Sequence, residues 1–376
     1  RSTHSSTLFP YTTLFRSAIV VADDLLPSEL SHYAQCGVAG VALAGSSPTA
    51  HVAIIAAGLG LPLVTGLGEA LAEVPEGKVA VLDATGGSFA PSPNEQALAE
   101  ARAALASQQA AAATDRAAAL AAAVTLDGLA VPVLANLGGL TDAEQAVLKG
   151  ADGCGLLRTE FLFLDRDEAP GEDEQVAVCR AVMETLGPRP LTVRTLDIGG
   201  DKPVRFLDLP HEDNPALGLR GIRVGLASPD LLATQLRAIL RAAQGAAGPV
   251  EVMVPMIVDS SEWQAVREAF ATAQSTLPAP ATVKLGMMIE TPASVLLADQ
   301  LAAKADFLSI GTNDLTQYVL AMDRTNRAMA AKADPMHPAV LRAIAQVCEA
   351  AAVHQCPVSV CGGLAGDPLA VPLLLG

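Results

Sequence analysis

The sequence is short of positive charge. Lys and Arg number 24 in 376 residues, against 40 Asp and Glu, which gives a net charge of −16. Nucleic acids are bound through their phosphates by broad basic faces, so this balance argues against a nucleic-acid-binding protein and favours cationic partners. A chain of this length with 51% hydrophobic residues is expected to fold into two domains, each with its own core.

Cysteine is also scarce, and its spacing is irregular. The chain has six cysteines, none of them in a C-x-x-C pair. Such spacing fits neither a disulfide framework nor a structural zinc site, and it predicts reduced thiols in a cytoplasmic protein. We find no secretory signal in the sequence, which agrees with that expectation.

A third absence is charge within one long segment. From Leu30 to Gly68 there is no Asp, Glu, Lys or Arg, a pattern that at first resembles a membrane span. However, Pro48, Pro62 and several glycines would leave backbone groups unpaired in lipid. We therefore expect buried strands and tight loops here, without membrane insertion.

The amino-acid composition changes along the chain and divides it into four parts. Residues 1–17 lack the Ala-Gly-Val character of the rest, and residues 7–17 resemble the translation of a sequencing-library adapter, so we expect a non-native leader. Residues 18–93 are predicted to form a small Gly-rich α/β domain with an early helix capped by Ser28. The Ala-, Glu- and Gln-rich residues 94–124 predict a long exposed linker helix.

The last part, residues 125–376, alternates apolar strands with helical stretches, which is the rhythm of a TIM-type (β/α)8 barrel. About seven strands are recognisable where a closed barrel needs eight. The predicted strands are 131–135, 155–158, 191–195, 250–255, 284–290, 307–311 and 357–361. The predicted fold is therefore α/β throughout, with a barrel that lacks its last strand.

Charged side chains follow several of these strands, where barrel enzymes place their active sites. Three arginines and two carboxylates suit a small polyanion held by guanidinium groups and a Mg²⁺ ion with oxygen ligands. For any single one of them a salt bridge or a solvent-facing position is an equal alternative, but five at strand ends favour a site. They are Arg158, Arg194, Glu290, Asp314 and Arg324, with Asn313 beside Asp314.

Three further residues are candidates on weaker grounds. Lys202 follows two glycines and can add a point charge, although its role stays open. Cys361 ends the last strand, where it is either a buried structural thiol or a proton donor. His51 lies near the start of a predicted helix, whose N–H groups and dipole can stabilise an attached phosphoryl group; a structural histidine is the alternative.

Seven ordered motifs from 155 to the end of the chain resemble Enzyme I of the bacterial sugar phosphotransferase system, and the similarity extends from about Ala18. They are GLLRTEFLFLDR (155–166), RTLDIGGDKP (194–203), NPALGLR (214–220), QLRAILR (235–241), MIETP (288–292), SIGTNDLTQY (309–318) and CGGLAGD (361–367).

The resemblance implies phosphoryl transfer from phosphoenolpyruvate (PEP) to His51 on a swivelling phosphohistidine domain, and then to a small HPr-type phosphocarrier protein. It implies that Arg158, Arg194 and Arg324 bind the phosphate and carboxylate. Asn313 would contact the phosphate, Glu290 and Asp314 would bind Mg²⁺, and Cys361 would protonate enolpyruvate. A homodimer through the barrel is also implied, as is a fragment of a multiphosphoryl transfer protein.

The sequence departs from the family at three positions. Ala50 and Ala57 stand where the family has Ser and Arg near the histidine, and Gly363 stands where Glu follows Cys-Gly. Two other interpretations stay open: a fragment of a pyruvate phosphate dikinase or PEP synthase, which would need ATP, and a non-catalytic PEP-binding sensor. Phosphorylation of His51 from PEP alone would separate them.

Overall fold

The computed structural model describes residues 18–45, 52–53, 56, 59–68, 71, 73–164, 166–199, 204–207, 209–324, 326–330 and 332–376. Two of the predicted site residues, His51 and Lys202, lie outside the described residues, as do Ala50 and Ala57. The chain divides into two compact units between Asp115 and Arg116. Among the described residues, no helix combines the length and apolarity needed to cross a bilayer.

The first unit contains a small parallel sheet whose central strand is fully buried. Its strands, in the order β1-β2-β3, are Ile19–Ala22 (β1), Gly40–Leu43 (β2) and Leu63–Val64 (β3). All four residues of β2 are buried, as expected for a parallel strand covered on both faces. A hairpin of Ala80–Asp83 (β4) and Ser88–Pro91 (β5) pairs antiparallel, and its second strand was not predicted.

The early helix of this unit begins before the predicted cap. Helix α1 spans Pro27–Gln35, so Ser28 lies inside the helix and the expectation that it caps the helix was wrong. Leu26 is the N-cap residue, and its backbone N–H donates to Glu29 Oε2 at 2.8 Å. Pro27 explains the earlier start, because its fixed φ angle and missing N–H suit the first helical position.

The predicted linker helix is confirmed as α2, Glu95–Ala118. Asn94 Oδ1 accepts a hydrogen bond from Ala97 N at 2.7 Å, which satisfies one of the free N–H groups at the helix start. None of its residues is buried. The helix therefore depends on the high helix propensity of its Ala, Glu and Gln residues rather than on a packed face.

The second unit is built on seven parallel strands in the order β12-β11-β10-β9-β8-β7-β6, which confirms a nearly closed barrel. The strands are Leu134–Leu137 (β6), Gly153–Arg158 (β7), Leu191–Arg194 (β8), Val250–Val254 (β9), Val283–Ile289 (β10), Leu308–Gly311 (β11) and Val358–Cys361 (β12). Each observed strand overlaps a predicted one within about three residues.

Helices follow the strands along the chain. They are Leu140–Leu148 (α3), Glu172–Leu186 (α4), Ile222–Ala227 (α5), Pro229–Ala243 (α6), Ser260–Ser275 (α7), Pro292–Leu296 (α8), Ala298–Ala302 (α9), Thr312–Leu320 (α10), Arg327–Ala330 (α11), Pro338–Val353 (α12) and Val371–Leu375 (α13). The helical segment between β10 and β11 is divided into α8 and α9, because Leu297 departs from helical geometry.

One large hydrophobic core joins the outward faces of these strands to the helices. Leu236 and Ile239 of α6 and Trp263 of α7 are among its fully buried side chains. The core therefore fixes the helices against the outside of the barrel. Side chains on the alternate strand positions are left to face the interior and the strand ends.

We expect Leu236→Ala to lower the free energy of unfolding of this unit by about 2–5 kcal/mol, because a buried leucine loses its contacts and leaves a cavity. Trp263 is the single tryptophan of the chain, so its fluorescence during urea denaturation follows this unit. Leu148→Ala is the control, since Leu148 is 74% exposed, and a change of less than about 0.5 kcal/mol is expected. Equal effects of the two substitutions would contradict this account of the core.

Candidate active site

Strand register brings the predicted site residues to one end of the barrel. Arg158 and Arg194 are paired residues at the ends of β7 and β8. Gly311 and Cys361 are paired in the same way at the ends of β11 and β12. Because all seven strands are parallel, their carboxyl ends meet at the same rim, which is where barrel enzymes bind their substrates.

Arg194 is the most deeply buried of the three predicted arginines, at 6% exposed. Its Nη2 donates to Glu160 Oε1 at 2.9 Å, and its Nη1 lies 3.4 Å from Asp197 Oδ2. Burial alone would lower the pKa of Arg194, but Glu160, Asp197 and Glu290 together raise it. The guanidinium group therefore keeps its charge, and its Nε has no hydrogen-bond partner among the described residues.

Arg220 links two carboxylates on different parts of the rim. Its Nη2 donates to both oxygens of Asp197 at 3.0 and 3.2 Å, and its Nη1 donates to Asp314 Oδ1 at 2.9 Å. Tyr318 receives a further hydrogen bond from Nη1 at 3.2 Å. The three charged side chains are all buried, so this network fixes the helix that starts after β11 against the loop that follows β8.

Glu290 directly follows β10 and is 1% exposed. Its Oε1 accepts a hydrogen bond from Met256 N at 2.7 Å. Met256 has φ +63°, a left-handed conformation that is unusual for a side chain of this size. Gly311 leaves room for the carboxylate, because a Cβ there would lie 2.8 Å from Glu290 Oε2.

The environment of Glu290 disfavours a negative charge. Burial, first, and then the charges of Asp314 and Asp197 raise the pKa of Glu290 to about 8, while Arg194 and Arg220 partly offset this. A carboxyl group in such a place is stabilised as an anion by a bound cation. Glu290 and Asp314 follow the adjacent strands β10 and β11, and their carboxylate oxygens are of the kind that Mg²⁺ prefers as ligands.

These two residues do not form a dense metal cage. Among the described residues, no group of three or more His, Cys, Asp and Glu side chains is arranged to hold a metal ion. Asp314 is already paired with Arg220, and its Oδ2 lies 3.5 Å from Arg324 Nη1. The arrangement agrees with the preference of Mg²⁺ for one or two protein carboxylates.

Cys361 is buried against the apolar interior of the barrel. It belongs to a cluster with Leu156, Met253, Met288 and Phe307. Burial raises the pKa of its thiol, and the charges that act on it are those of Glu290, Arg194 and Arg158. The thiol is therefore protonated at neutral pH and lies among the predicted substrate-binding residues, as a proton donor requires.

The turn after Cys361 is attached to the start of α10. Thr312 Oγ1 donates to the Cys361 carbonyl oxygen at 2.8 Å, and Gly363 N donates to Asn313 Oδ1 at 2.9 Å. Gly362 has φ +91°, and a Cβ there would lie 2.4 Å from Thr312 Oγ1, so glycine is required at this position. Gly363 has no such constraint: its Cβ would make only an ordinary 3.4 Å contact with Asn313.

The other two predicted arginines are more accessible. The Arg158 side chain is exposed, and no hydrogen bond or ion pair joins that side chain to another residue in the described part of the chain. The Arg324 side chain is 35% exposed and approaches Asp314. These guanidinium groups are therefore more accessible than that of Arg194, whose terminal nitrogens already contact Glu160 and Asp197 and whose Nε alone has no partner among the described residues.

The structure thus brings six predicted residues to one rim, namely Arg158, Arg194, Glu290, Asn313, Asp314 and Cys361, with Arg324 at its edge. Sequence reasoning did not assign roles to Glu160, Asp197, Arg220 or Met256. Glu160 lies two residues after Arg158, and Asp197 lies three residues after Arg194. This proximity to a predicted arginine was the available signal. Arg220 lies in a loop far from any strand end, and only its presence in the NPALGLR motif pointed to it.

Comparison with known protein families agrees with this geometry. Residues 112–376 match the family model of the PEP-utilising enzyme, PEP-binding domain, and residues 15–87 match that of the mobile domain. The first match covers most of the chain, including every described site residue. The chain belongs to the PEP-utilising enzymes.

Several relatives within the PEP-utilising enzymes are known by name. A multiphosphoryl transfer protein of Xanthomonas campestris is 46% identical over 95% of this chain and 42% of its own length. A protein of the same name from Rhodobacter capsulatus is 44% identical over 95% of this chain and 43% of its own length. A phosphoenolpyruvate-protein phosphotransferase of Haloferax volcanii is 43% identical over 97% of this chain and 64% of its own length. The chain therefore spans from about two fifths to somewhat under two thirds of these relatives.

The burial of Cys361 predicts how its alkylation depends on pH. Because burial raises the pKa of the thiol, we expect its reaction with iodoacetamide in the folded protein to reach half its maximal rate above pH 9. In urea the same cysteine should reach that point near the ordinary value of about 8.5. Peptide mapping by mass spectrometry measures both rates, and equal midpoints in the two states would show that burial does not control the thiol.

Proposed function

We propose that this chain acts as the PEP-dependent part of a phosphoenolpyruvate-protein phosphotransferase. The single observation that supports this most strongly is the meeting of anion-binding arginines, a carboxylate pair and a protonated thiol at one barrel rim. The names of the relatives support the same activity, since they include phosphoenolpyruvate-protein phosphotransferase and multiphosphoryl transfer protein.

In the proposed reaction, the arginines bind the two anionic ends of PEP. Arg158, Arg194 and Arg324 bind the phosphate and carboxylate, Arg194 through a position fixed by Glu160 and Asp197. Asn313 uses its Oδ1 on Gly363 N, which leaves its Nδ2 hydrogens for a phosphate oxygen. Lys202 adds a positive charge.

Glu290 and Asp314 would hold Mg²⁺. When bound, the ion supplies positive charge against the oxygens of the phosphate that is transferred. The protein contributes by holding the two carboxylates at adjacent strand ends, through Met256 N for Glu290 and Arg220 for Asp314.

The transfer itself forms one bond and breaks one. A neutral imidazole nitrogen of His51 attacks the phosphorus atom, and the bond from phosphorus to the enol oxygen breaks. Enolpyruvate is left, and the Cys361 thiol donates a proton to its methylene carbon, which gives pyruvate. The resulting thiolate recovers a proton from solvent before the next turnover.

The wider role that we propose follows the resemblance of the sequence motifs to Enzyme I. The phosphoryl group would pass from His51 to an HPr-type phosphocarrier protein for sugar uptake, in a cytoplasmic enzyme that dimerises through its barrel. The domains would be a phosphohistidine domain at 18–93, a linker at 94–124 and the PEP-binding barrel at 125–376. Residues 1–17 would be a non-native leader.

Phosphorylation of His51 tests the proposal directly. Incubation with ³²P-labelled PEP and Mg²⁺ should label the chain with an acid-labile, base-stable phosphate, which mass spectrometry should locate on His51. His51→Gln should reduce the label to background, because an amide nitrogen is not a competent nucleophile. Labelling from ATP instead, or from PEP at another residue, would contradict the assignment of donor and acceptor.

We expect Glu290→Gln to lower the rate of His51 labelling by about 10²- to 10³-fold, since it removes one of two carboxylates that hold the cation. Chelation of Mg²⁺ with EDTA should have an effect at least as large. Glu251→Gln is the matched control, because Glu251 is a partly buried carboxylate of β9 bonded to Thr192. Initial rates at saturating PEP measure the effect, and an equal loss in both variants would argue against a metal role for Glu290.

A further inference from the structure

One polar residue interrupts the buried face of helix α6. Gln235 is 2% exposed, and the neighbouring Leu232, Leu236 and Ile239 on the same helix are also buried. A buried amide costs free energy unless its donor and acceptor are satisfied, and an apolar side chain would avoid that cost. The position of its hydrogen bonds therefore indicates what the glutamine does there.

Both ends of the Gln235 amide are used, on two different strand ends. Its Oε1 accepts a hydrogen bond from Leu196 N at 2.8 Å. Its Nε2 donates to Thr159 Oγ1 at 3.1 Å, and that hydroxyl donates in turn to the Arg194 carbonyl oxygen at 2.9 Å. Thr159 is 1% exposed, so this chain of hydrogen bonds is shielded from water.

These contacts lie directly behind two of the substrate-binding arginines. Thr159 is the residue after Arg158, and Leu196 is the second residue after Arg194. The backbone pairing of β7 with β8 ends at Arg158 and Arg194, so beyond that point it no longer sets the spacing of the two strands. Beyond the last backbone pair, the hydrogen bonds of the Gln235 and Thr159 side chains set the spacing of the two strand ends.

A second buried glutamine shows that burial alone does not produce such a bridge. Gln175 of α4 is also 2% exposed, but its Nε2 donates to Pro170 O, five residues earlier in the same segment, at 3.0 Å. That contact joins a helix to its own preceding loop. Gln235, in contrast, joins two neighbouring strand ends that both carry an arginine of the site.

We propose that Gln235 is a positioning residue for PEP, which acts through Thr159 to hold Arg158 and Arg194 at the spacing that the anion requires. Gln235 does not touch the substrate. The inference rests on the proposed function, because it assigns the two arginines to the anion. It adds a residue on a helix, behind the barrel wall, to a site otherwise built from strand ends and loops.

The test compares substitutions that remove the hydrogen bonds and keep the shape. Gln235→Met and Thr159→Val should each raise the dissociation constant of PEP, measured by calorimetry with Mg²⁺ present, by about 10- to 100-fold, since small displacements of positioning groups have effects of that size. Thr159→Ser keeps the hydroxyl and should bind PEP almost as the unchanged protein does. The double variant should bind PEP about as tightly as the weaker-binding of the two single variants, because both substitutions act on one hydrogen-bond network.

Gln175→Met is the control for a loss of stability without a loss of positioning. It removes one buried glutamine hydrogen bond, and its PEP affinity should stay unchanged even where its melting temperature falls. Thr159→Val reaches the same network from the end of β7, so the inference remains testable if Gln235→Met does not fold. Unchanged PEP affinity in Gln235→Met or in Thr159→Val, or an equal change in Gln175→Met, would overturn it.

Different outcomes would contradict the proposed phosphotransfer and the proposed role of Gln235. If the unchanged protein binds PEP but His51 remains unlabelled, phosphotransfer is wrong while the affinity measurements still decide the role of Gln235. If the unchanged protein labels His51 and Gln235→Met binds PEP equally well, the positioning role alone is wrong. Absence of PEP binding in the unchanged protein would overturn both.

Discussion

The candidate site depends on one buried network of opposite charges. Asp197 lies between two guanidinium groups, those of Arg194 and Arg220, and Arg220 continues to Asp314. Removal of one partner from such a network leaves an uncompensated charge away from water, which is costly, so the members hold each other in fixed positions. Because these residues come from the loop after β8, the segment before α5 and the start of α10, the network aligns three separate parts of the rim.

That alignment suits phosphoryl transfer, which needs positioned charge more than it needs covalent help from the protein. The buried residues are held in fixed orientations, since Arg194 donates a hydrogen bond to Glu160 and Glu290 accepts one from Met256 N. Arg158 and Arg324 lie nearer to solvent, and Arg324 also approaches Asp314. The site thus combines buried charged groups in fixed orientations with more accessible arginines at the same rim.

Strand periodicity explains how much of this arrangement the sequence could predict. An apolar run that ends in Arg158, Arg194 or Glu290 places those side chains at the carboxyl end of a parallel strand, and the structure brought them together. The roles of Asp197 and Arg220 could not be predicted in this way, because loop geometry has no comparable period. Gln235 did leave a signal, as a polar residue within the apolar stripe of an amphipathic helix, but its partners on β7 and β8 depend on tertiary packing. Leu297 likewise ends a helix that local propensity would continue.

A single physical cause, desolvation, has two different consequences at this rim. For Cys361 it opposes the thiolate, so the group keeps its proton and is suited to act as an acid rather than as a nucleophile. For Glu290 it opposes the carboxylate, so the group gains from a bound cation that neutralises it. The same shielding from water strengthens the ion pairs that the buried Arg194 makes with Glu160 and Asp197. Greater exposure of the rim to water would weaken all three effects together. This explains why Cys361, Glu290 and Arg194 lie where the barrel interior meets the strand ends.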